Sequence, residues 1–501
     1  MTEPPAVSRR GLLAGMAGAS ASSLLSLPAS AAPQAATAPL PGLVGRDPLW
    51  AEQLSMNRLG PKLTGSPAHL AYIDRIARQL AAIPGVRLER RPVPFRSWRE
   101  RHAALELRAD GTAPQPLDVT SAYPYSGATP EGGVAAELAF GGRTPDFRPK
   151  DCRGRIAFIE APILPMRFAD FLERWGPADA EPAMPAALAH PVFQHFCAPD
   201  LRPFRDAGAV GAILAWQGVA DAAVRDQYVP FSKPYQDLPA LWVGEQTGRR
   251  LKAAIGQGGQ ARLTLLADQD EAASSDALLA MLPGESDETI LVLTHTDGGN
   301  ALEENGPLVL VALARYLAGL PAGTLRRSYA FAFETAHFAR GPVAAKAGLP
   351  PSAGNEHPLN LAARHPDLIR RTVACVAIEH LGADEWETAD GGYAATGRSA
   401  LGWAITPSRA LADLLLSTAP PDSRLIAARP TGERFMGEGG MAHRAGVPTL
   451  GFVPLPAYLL TAPAGGEIAK IDPDRLHRQT AMFARLLTRL DRVPAAALGA
   501  G

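Results

Sequence analysis

From about residue 275 onward the chain alternates between two hydrophobic textures. Short apolar runs such as Ile290-Leu291-Val292-Leu293 are followed by stretches whose apolar residues recur at helical spacing, such as Leu308-Val309-Val311-Ala312-Leu313. A continuous apolar run bounded by Pro283-Gly284 reads as a buried strand, and the 3.6-residue spacing as a helix packed on it. Elements are predicted at 289–294, 307–318, 328–333, 363–370, 372–379, 408–417, 449–453 and 473–491. Such alternation predicts an α/β fold: three layers, α/β/α, around a mostly parallel central sheet.

Upstream, 50–63 and 67–83 carry helical periodicity, separated by the turn-rich Leu59-Gly60-Pro61-Lys62-Leu63-Thr64-Gly65-Ser66-Pro67, and 86–95 alternates like a strand. Between 111 and 266 the texture changes to short β-like runs separated by Gly, Pro and Asp turns, which predicts an inserted β-rich domain. The expected organisation is 1–31 as a signal, 32–48 as a linker, 49–110 as the first part of the main domain, 111–266 as the insert, and 275–495 as the main domain. His190 and His195 stand alone within the insert and read as structural.

Composition narrows the function classes. With 49 basic and 50 acidic residues among 501, no bulk field favours nucleic acid or a membrane surface. Three scattered cysteines give neither a disulfide framework nor a thiolate metal site. The N-terminus reads Ser8-Arg9-Arg10-Gly11-Leu12-Leu13, then a short apolar segment and Ala29-Ser30-Ala31. This is the pattern of a cleaved twin-arginine signal, too short and too rich in Gly and Ser for a stable span, so a periplasmic or secreted protein is expected. The sequence carries no sign of the oligomeric state.

Chemistry concentrates in Thr289 to Pro307. His295 and Asp297 leave the predicted strand at its C-terminal end, where open α/β sheets bind their ligands. Glu303, Glu304 and Asn305 follow a Gly-Gly-Asn turn. One imidazole and three carboxylates thus surround one strand-to-helix loop.

These residues, taken in order, resemble the family of co-catalytic zinc aminopeptidases and carboxypeptidases. The segment 59–67 looks like that family's early glycine-proline motif, His295-Thr296-Asp297 like its H-x-D, and Gly446-Val447-Pro448 like its late strand entry. Residues 111–266 look like the protease-associated domain often inserted in the family, with Phe204-Arg205-Asp206-Ala207-Gly208-Ala209-Val210-Gly211-Ala212 the most telling piece. The resemblance implies hydrolysis of a peptide or small amide by a metal-bound water, with zinc as the ion.

The likeness assigns residues with departures. His295 matches the first ligand and Asp297 the carboxylate that orients it. Glu304 stands where the family has its bridging aspartate, and Glu379 where it has a further acidic ligand. The family's Glu-Glu pair falls on Ala336-His337, so the usual base is absent and His337 becomes a candidate ligand. The last histidine falls at Leu460-Thr461 and is lost. One zinc, held by His295, Glu304 and Glu379, is therefore expected in preference to two. Replacement bases would be Glu334, Glu303 or His380, and His380 is also a ligand candidate. If 375–380 is a strand, Glu379 and His380 point to opposite faces. Glu438 and His443 lie where relatives carry substrate-pocket residues, and Tyr458 is a further substrate-binding candidate whose alternative is a packed tyrosine. The alternative is a catalytically degenerate relative that binds a ligand or protein without turnover.

Overall fold

The computed structural model describes residues 39–108, 113–177, 179–350, 352–353, 356–389, 392–432 and 434–499. The expected signal at 1–31 lies outside the described residues. No helix among those described is long and apolar enough to cross a membrane.

The main sheet has nine strands, in the order Arg87–Pro94, Ser274–Leu282, Arg327–Glu334, Ser286–His295, Thr372–Ile378, Thr449–Pro454, Gly402–Ile405, Leu425–Pro430 and Leu172–Arg174. The four strands from Arg327–Glu334 to Thr449–Pro454 run parallel to one another. Both flanks carry antiparallel neighbours, so the sheet is mixed rather than mostly parallel.

Burial follows the pleat. Ile290, Val292, Phe331, Phe333, Val376 and Ile378 enter the large core on one face, with Val309 and Leu313 of the helix Gly306–Ala318 and Phe483 and Leu487 of Pro473–Leu490. Leu291, Leu293, Ala330, Ala332, Cys375 and Ala377 enter a smaller core on the other face, with Leu361, Leu368, Ala442 and Val447. Alternate residues of each strand are thus covered on both sides, which is why these runs read as continuously apolar.

Local signals set the helix ends. Pro67–Ala81 starts behind Ser66, whose side chain accepts the His69 N–H, and Pro473–Leu490 starts behind Asp472, which accepts the Arg475 N–H.

A second sheet runs Gln115–Leu117, Ser97–Arg108, Gln260–Asp270, Val134–Arg143, Ile156–Pro162, Gly211–Gln217, Ala240–Val243 and Ser121–Ala122. Ser97–Arg108 was expected with the first part of the main domain. It pairs instead along its length with Gln260–Asp270, so the strands that enter and leave the second sheet lie side by side. Leu172–Arg174, from the same stretch of chain, crosses back to complete the edge of the main sheet.

The hairpin Asp384–Ala389 and Gly392–Ser399 is anchored by one lysine. The Lys470 ammonium lies 4.7 Å from the centroids of Trp386 and Tyr458 and 5.0 Å from that of Tyr393, and 2.8 Å from a Glu467 carboxylate oxygen. Cation–π attraction strengthens as the charge is desolvated, and Lys470 is buried. Lys470→Ala is expected to lower unfolding stability by about 2 kcal/mol, read as an earlier urea midpoint by tryptophan fluorescence. An unmoved midpoint would show that the hairpin is held some other way.

Candidate metal centre

The C-terminal ends of the four parallel strands meet at one place. His295 ends its strand, Glu379 and His380 follow Thr372–Ile378, the turn 335–339 follows Arg327–Glu334, and Glu438 precedes the helix Gly440–Arg444 that leads into Thr449–Pro454. Parallel strands deliver side chains to a common edge in this way.

Three buried side chains converge there: His295, Glu303 and His380. The His380 Nε2 is 3.3 Å from Glu303 Oε2, and the His295 Nε2 is 3.9 Å from Glu303 Oε1. Glu379 turns Oε2 to the same space, 3.8 Å from His295 Nε2 and 3.9 Å from His380 Nε2. His295 Nε2, His380 Nε2 and Glu303 Oε2 are all buried without a hydrogen bond. Leaving buried polar atoms unpaired costs about 1–3 kcal/mol each, so three facing one another call for a shared partner. Metal bonds of about 2.0–2.2 Å at tetrahedral angles put ligand atoms roughly 3.3–3.6 Å apart, close to the spacing here. The donor set fits a zinc ion.

The remote ring nitrogens are committed elsewhere. His295 Nδ1 lies 2.7 Å from the Asp297 main-chain oxygen, and His380 Nδ1 lies 3.1 Å from the Pro454 carbonyl. Each contact orients its ring and leaves Nε2 as the free donor to a cation. Electrostatics point the same way. Burial raises the Glu379 carboxyl above its ordinary value. Burial pulls the His380 imidazole down, but Glu303 and Glu379 outweigh it and raise the net value.

Glu304, expected as a ligand, faces away. Its Oε2 lies 2.6 Å from Lys62 Nζ, and its Oε1 accepts the Lys62 backbone N–H at 2.6 Å, with both side chains almost fully buried. Burial pushes the Glu304 carboxyl up to about 8 against the pull of Lys62. Glu303 occupies the inward position instead. Asn300 fixes it: Oδ1 accepts the Leu302 and Glu303 N–H groups, while Nδ2 donates to the Leu459 and Thr461 carbonyls. No side chain could stand at Gly298, because the Glu303 and Glu304 Cγ atoms lie 2.5 and 2.8 Å from where its Cβ would be.

Asp297 does not reach His295 with its carboxylate. Its oxygens accept the His337 and Phe338 N–H groups at 3.2 and 2.9 Å and the Thr64 hydroxyl. Those bonds stabilise a turn in which Ala336 adopts a left-handed φ of 59°. The turn stacks the His337 ring on His295, with centroids 4.4 Å apart, and places His337 Nδ1 2.5 Å from Glu438 Oε1. Burial lowers the His337 pKa, but Glu438 overcompensates and lifts it to about 9. His337 and Glu438 keep 21% and 11% side-chain exposure against 1–3% for the inner four, so they mark the entrance.

The remaining candidates lie outside this cluster. Both Glu334 oxygens are held by Arg364, at 2.7 and 2.5 Å. Tyr458 is fully buried and donates to the Asp384 and Lys470 carbonyls, a packing role. His443 packs on Phe435, 5.1 Å between centroids. The role of Lys62 escaped sequence reasoning. Lys62 is separated from Glu304 by 242 positions. His195 stacks on Phe231 at 3.9 Å, and Phe231 in turn lies 5.2 Å from His337, which brings the second sheet's connections to the entrance.

No family profile matches the chain, and no curated protein is similar to it in sequence. Solved structures are similar in fold. The peptidase M28 precursor of Shewanella amazonensis SB2B superposes with a TM-score of 0.63 at 17% identity, over 92% of this chain and 95% of that one. The zinc aminopeptidase of Bacillus subtilis gives 0.57 at 15% identity, over 92% and 99%. The aminopeptidase of Aneurinibacillus sp. strain AM-1 gives 0.57 at 16%, over 88% and 93%. The resemblance read from the sequence therefore holds for the fold of nearly the whole chain.

The Lys62–Glu304 pair yields a test of its role. Lys62→Met, which strands a buried carboxylate, is expected to cost about 3–5 kcal/mol. Adding Glu304→Gln should recover much of that loss while metal content stays at the wild-type level. Loss of metal from the double variant would return Glu304 to the ligand set.

Proposed function

We propose that the chain is an exported, metal-dependent hydrolase of peptide or related amide bonds, with one zinc held by His295, Glu303 and His380. The observation that carries this reading is the convergence of three unpartnered buried donor atoms at the C-terminal edge of the parallel strands. Two histidines and a glutamate with an open position form a donor set characteristic of catalytic zinc. The fold likeness to zinc aminopeptidases supports the reaction class, although fold alone does not determine chemistry. The twin-arginine pattern supports export, and the second sheet's place in the chain supports its assignment as a protease-associated domain.

Bound zinc would polarise a substrate carbonyl and lower the pKa of a water molecule. The protein's own groups do the rest. The Glu438 N–H fixes Glu379 Oε1 at 2.8 Å, which leaves Oε2 toward the cluster as proton acceptor. A protonated Glu379 then returns the proton to the leaving nitrogen. His337 and Glu438, ion-paired at the entrance, hold the approach to the scissile bond and keep a charged, orienting wall beside His295. The tight packing of Phe231 and Phe338, with centroids 4.3 Å apart, excludes water from that side.

Elemental analysis of the purified protein should give about one equivalent of zinc, and His295→Ala or His380→Ala should abolish it. Glu379→Gln should keep the metal and lose at least a hundredfold in kcat on aminoacyl or dipeptide substrates. Metal-free wild-type protein after reconstitution would eliminate this mechanism and favour a non-catalytic binding role. Two equivalents would require a second ligand set.

A further inference from the structure

The segment from Pro454 to Ala462 leaves the last of the four parallel strands and is held from two sides. Toward the metal centre it offers carbonyls. The Pro454 oxygen lies 3.1 Å from His380 Nδ1, and the Tyr458, Leu459 and Thr461 oxygens lie 3.2, 2.8 and 2.9 Å from Asn300 Nδ2. Asn300 meets these three acceptors with two N–H donors, and its Oδ1 accepts the Glu303 N–H. The segment thus bears on two of the three proposed ligands, on His380 directly and on Glu303 through Asn300.

The positions between are taken by connections of the second sheet. His190, between Ile156–Pro162 and Gly211–Gln217, has its Nδ1 3.1 Å from the Leu455 oxygen. Residues 226–228, between Gly211–Gln217 and Ala240–Val243, pair with the segment's end. Gln227 Nε2 donates to the Ala457 carbonyl at 3.2 Å, the Tyr228 N–H donates to Leu460 at 2.8 Å, and the Ala462 N–H donates to Asp226 at 2.7 Å. Gln227 is fully buried and faces Thr461 as an antiparallel bridge. Contacts to the centre and to the second sheet therefore interleave along one stretch of backbone. The stretch has no slack on the inner side, because a Cβ on Gly299 would lie 2.4 Å from the Thr461 oxygen. Close-packed backbone passes a displacement on rather than absorbing it.

We propose that Gln227 and Asn300 are positioning residues at the two sides of a relay through 454–462, by which the grip of the second sheet's connections sets the affinity of the centre for zinc. The inference rests on the zinc reading above and adds to it a control of metal loading from outside the main sheet. Such coupling is reciprocal: if the grip favours zinc, zinc tightens the grip by the same factor.

Zinc affinity of the full chain, measured by competition with a chromophoric chelator, should fall roughly tenfold or more in Gln227→Met and in Asn300→Ala. The double variant should bind no more weakly than the poorer single one, because both cut the same relay. Gln236→Met is the control. Gln236 is as deeply buried as Gln227, and its Oε1 accepts the Leu201 N–H within the stretch that builds the second sheet, so its loss should leave zinc affinity unchanged. A wild-type affinity in Gln227→Met, additive losses in the double variant, or an equal loss in Gln236→Met would overturn the relay.

Hydrogen exchange on wild-type protein keeps the test open where Gln227→Met does not fold. Zinc should slow peptides carrying the Tyr228 and Ala462 amides by at least about fivefold beyond any change in Ala240–Val243. Asn300→Ala at saturating zinc should remove that excess. Equal exchange at both amides with and without zinc refutes the relay. Wild-type protein that binds no zinc overturns the metal reading and the relay together, whereas zinc bound without this coupling overturns the relay alone.

Discussion

One buried ion pair decides which of two adjacent glutamates reaches the cluster. Lys62 sits on the turn between the first two helices and takes both oxygens of Glu304, through its ammonium and through its own backbone N–H. With Glu304 tied outward, the tight turn after Gly298 sends Glu303 inward, and Asn300 locks that choice through two backbone N–H groups. Tyr72 adds a hydrogen bond to the Glu304 carbonyl, and Asn305 both donates to and accepts from the main chain of Leu381. The loop is thereby tied to the helix before the sheet and to the segment after the third parallel strand. The pair holds Glu304 away from the cluster and contributes no atom to it.

Around this frame the charges are arranged to want a cation. Glu303, Glu379 and Glu438 share a buried space with three imidazoles, of which His337 pairs closely with Glu438. Desolvation penalises every unpaired carboxylate, and a divalent ion removes that penalty by a larger margin than protons do. Under the proposed reading, one ion bound by the inner side chains would serve both their stability and their chemistry.

Much of the architecture was readable because its signal is periodic. The predicted 307–318 and 473–491 match Gly306–Ala318 and Pro473–Leu490, and 372–379 matches Thr372–Ile378, since strands covered on both faces leave an unbroken apolar run. The mixed flanks were not legible, because antiparallel partners such as Arg87–Pro94 are assigned by long-range pairing. The hairpin at 384–399 escaped for a related reason: its strands are largely solvated, and Lys470 anchors them from far along the chain. At the site, the His295 loop announced itself by composition. The choice between Glu303 and Glu304 did not, because Lys62 carries no local mark of its partner. Strand alternation also misdirects at Glu379 and His380. The strand ends at Ile378, and His380 takes a left-handed φ of 59°, so both side chains turn to one space.

The short strand Leu172–Arg174 gives the two sheets a shared fate. It closes the far edge of the main sheet against Leu425–Pro430, although it belongs to the stretch of chain that builds the second sheet. An open sheet edge is a template for pairing with another chain, and covering it is how soluble sheets stay apart. The stretch that builds the second sheet therefore supplies the last, three-residue strand of the main sheet as well as Phe231 beside the entrance. Without that strand, Leu425–Pro430 would itself stand at the sheet's edge.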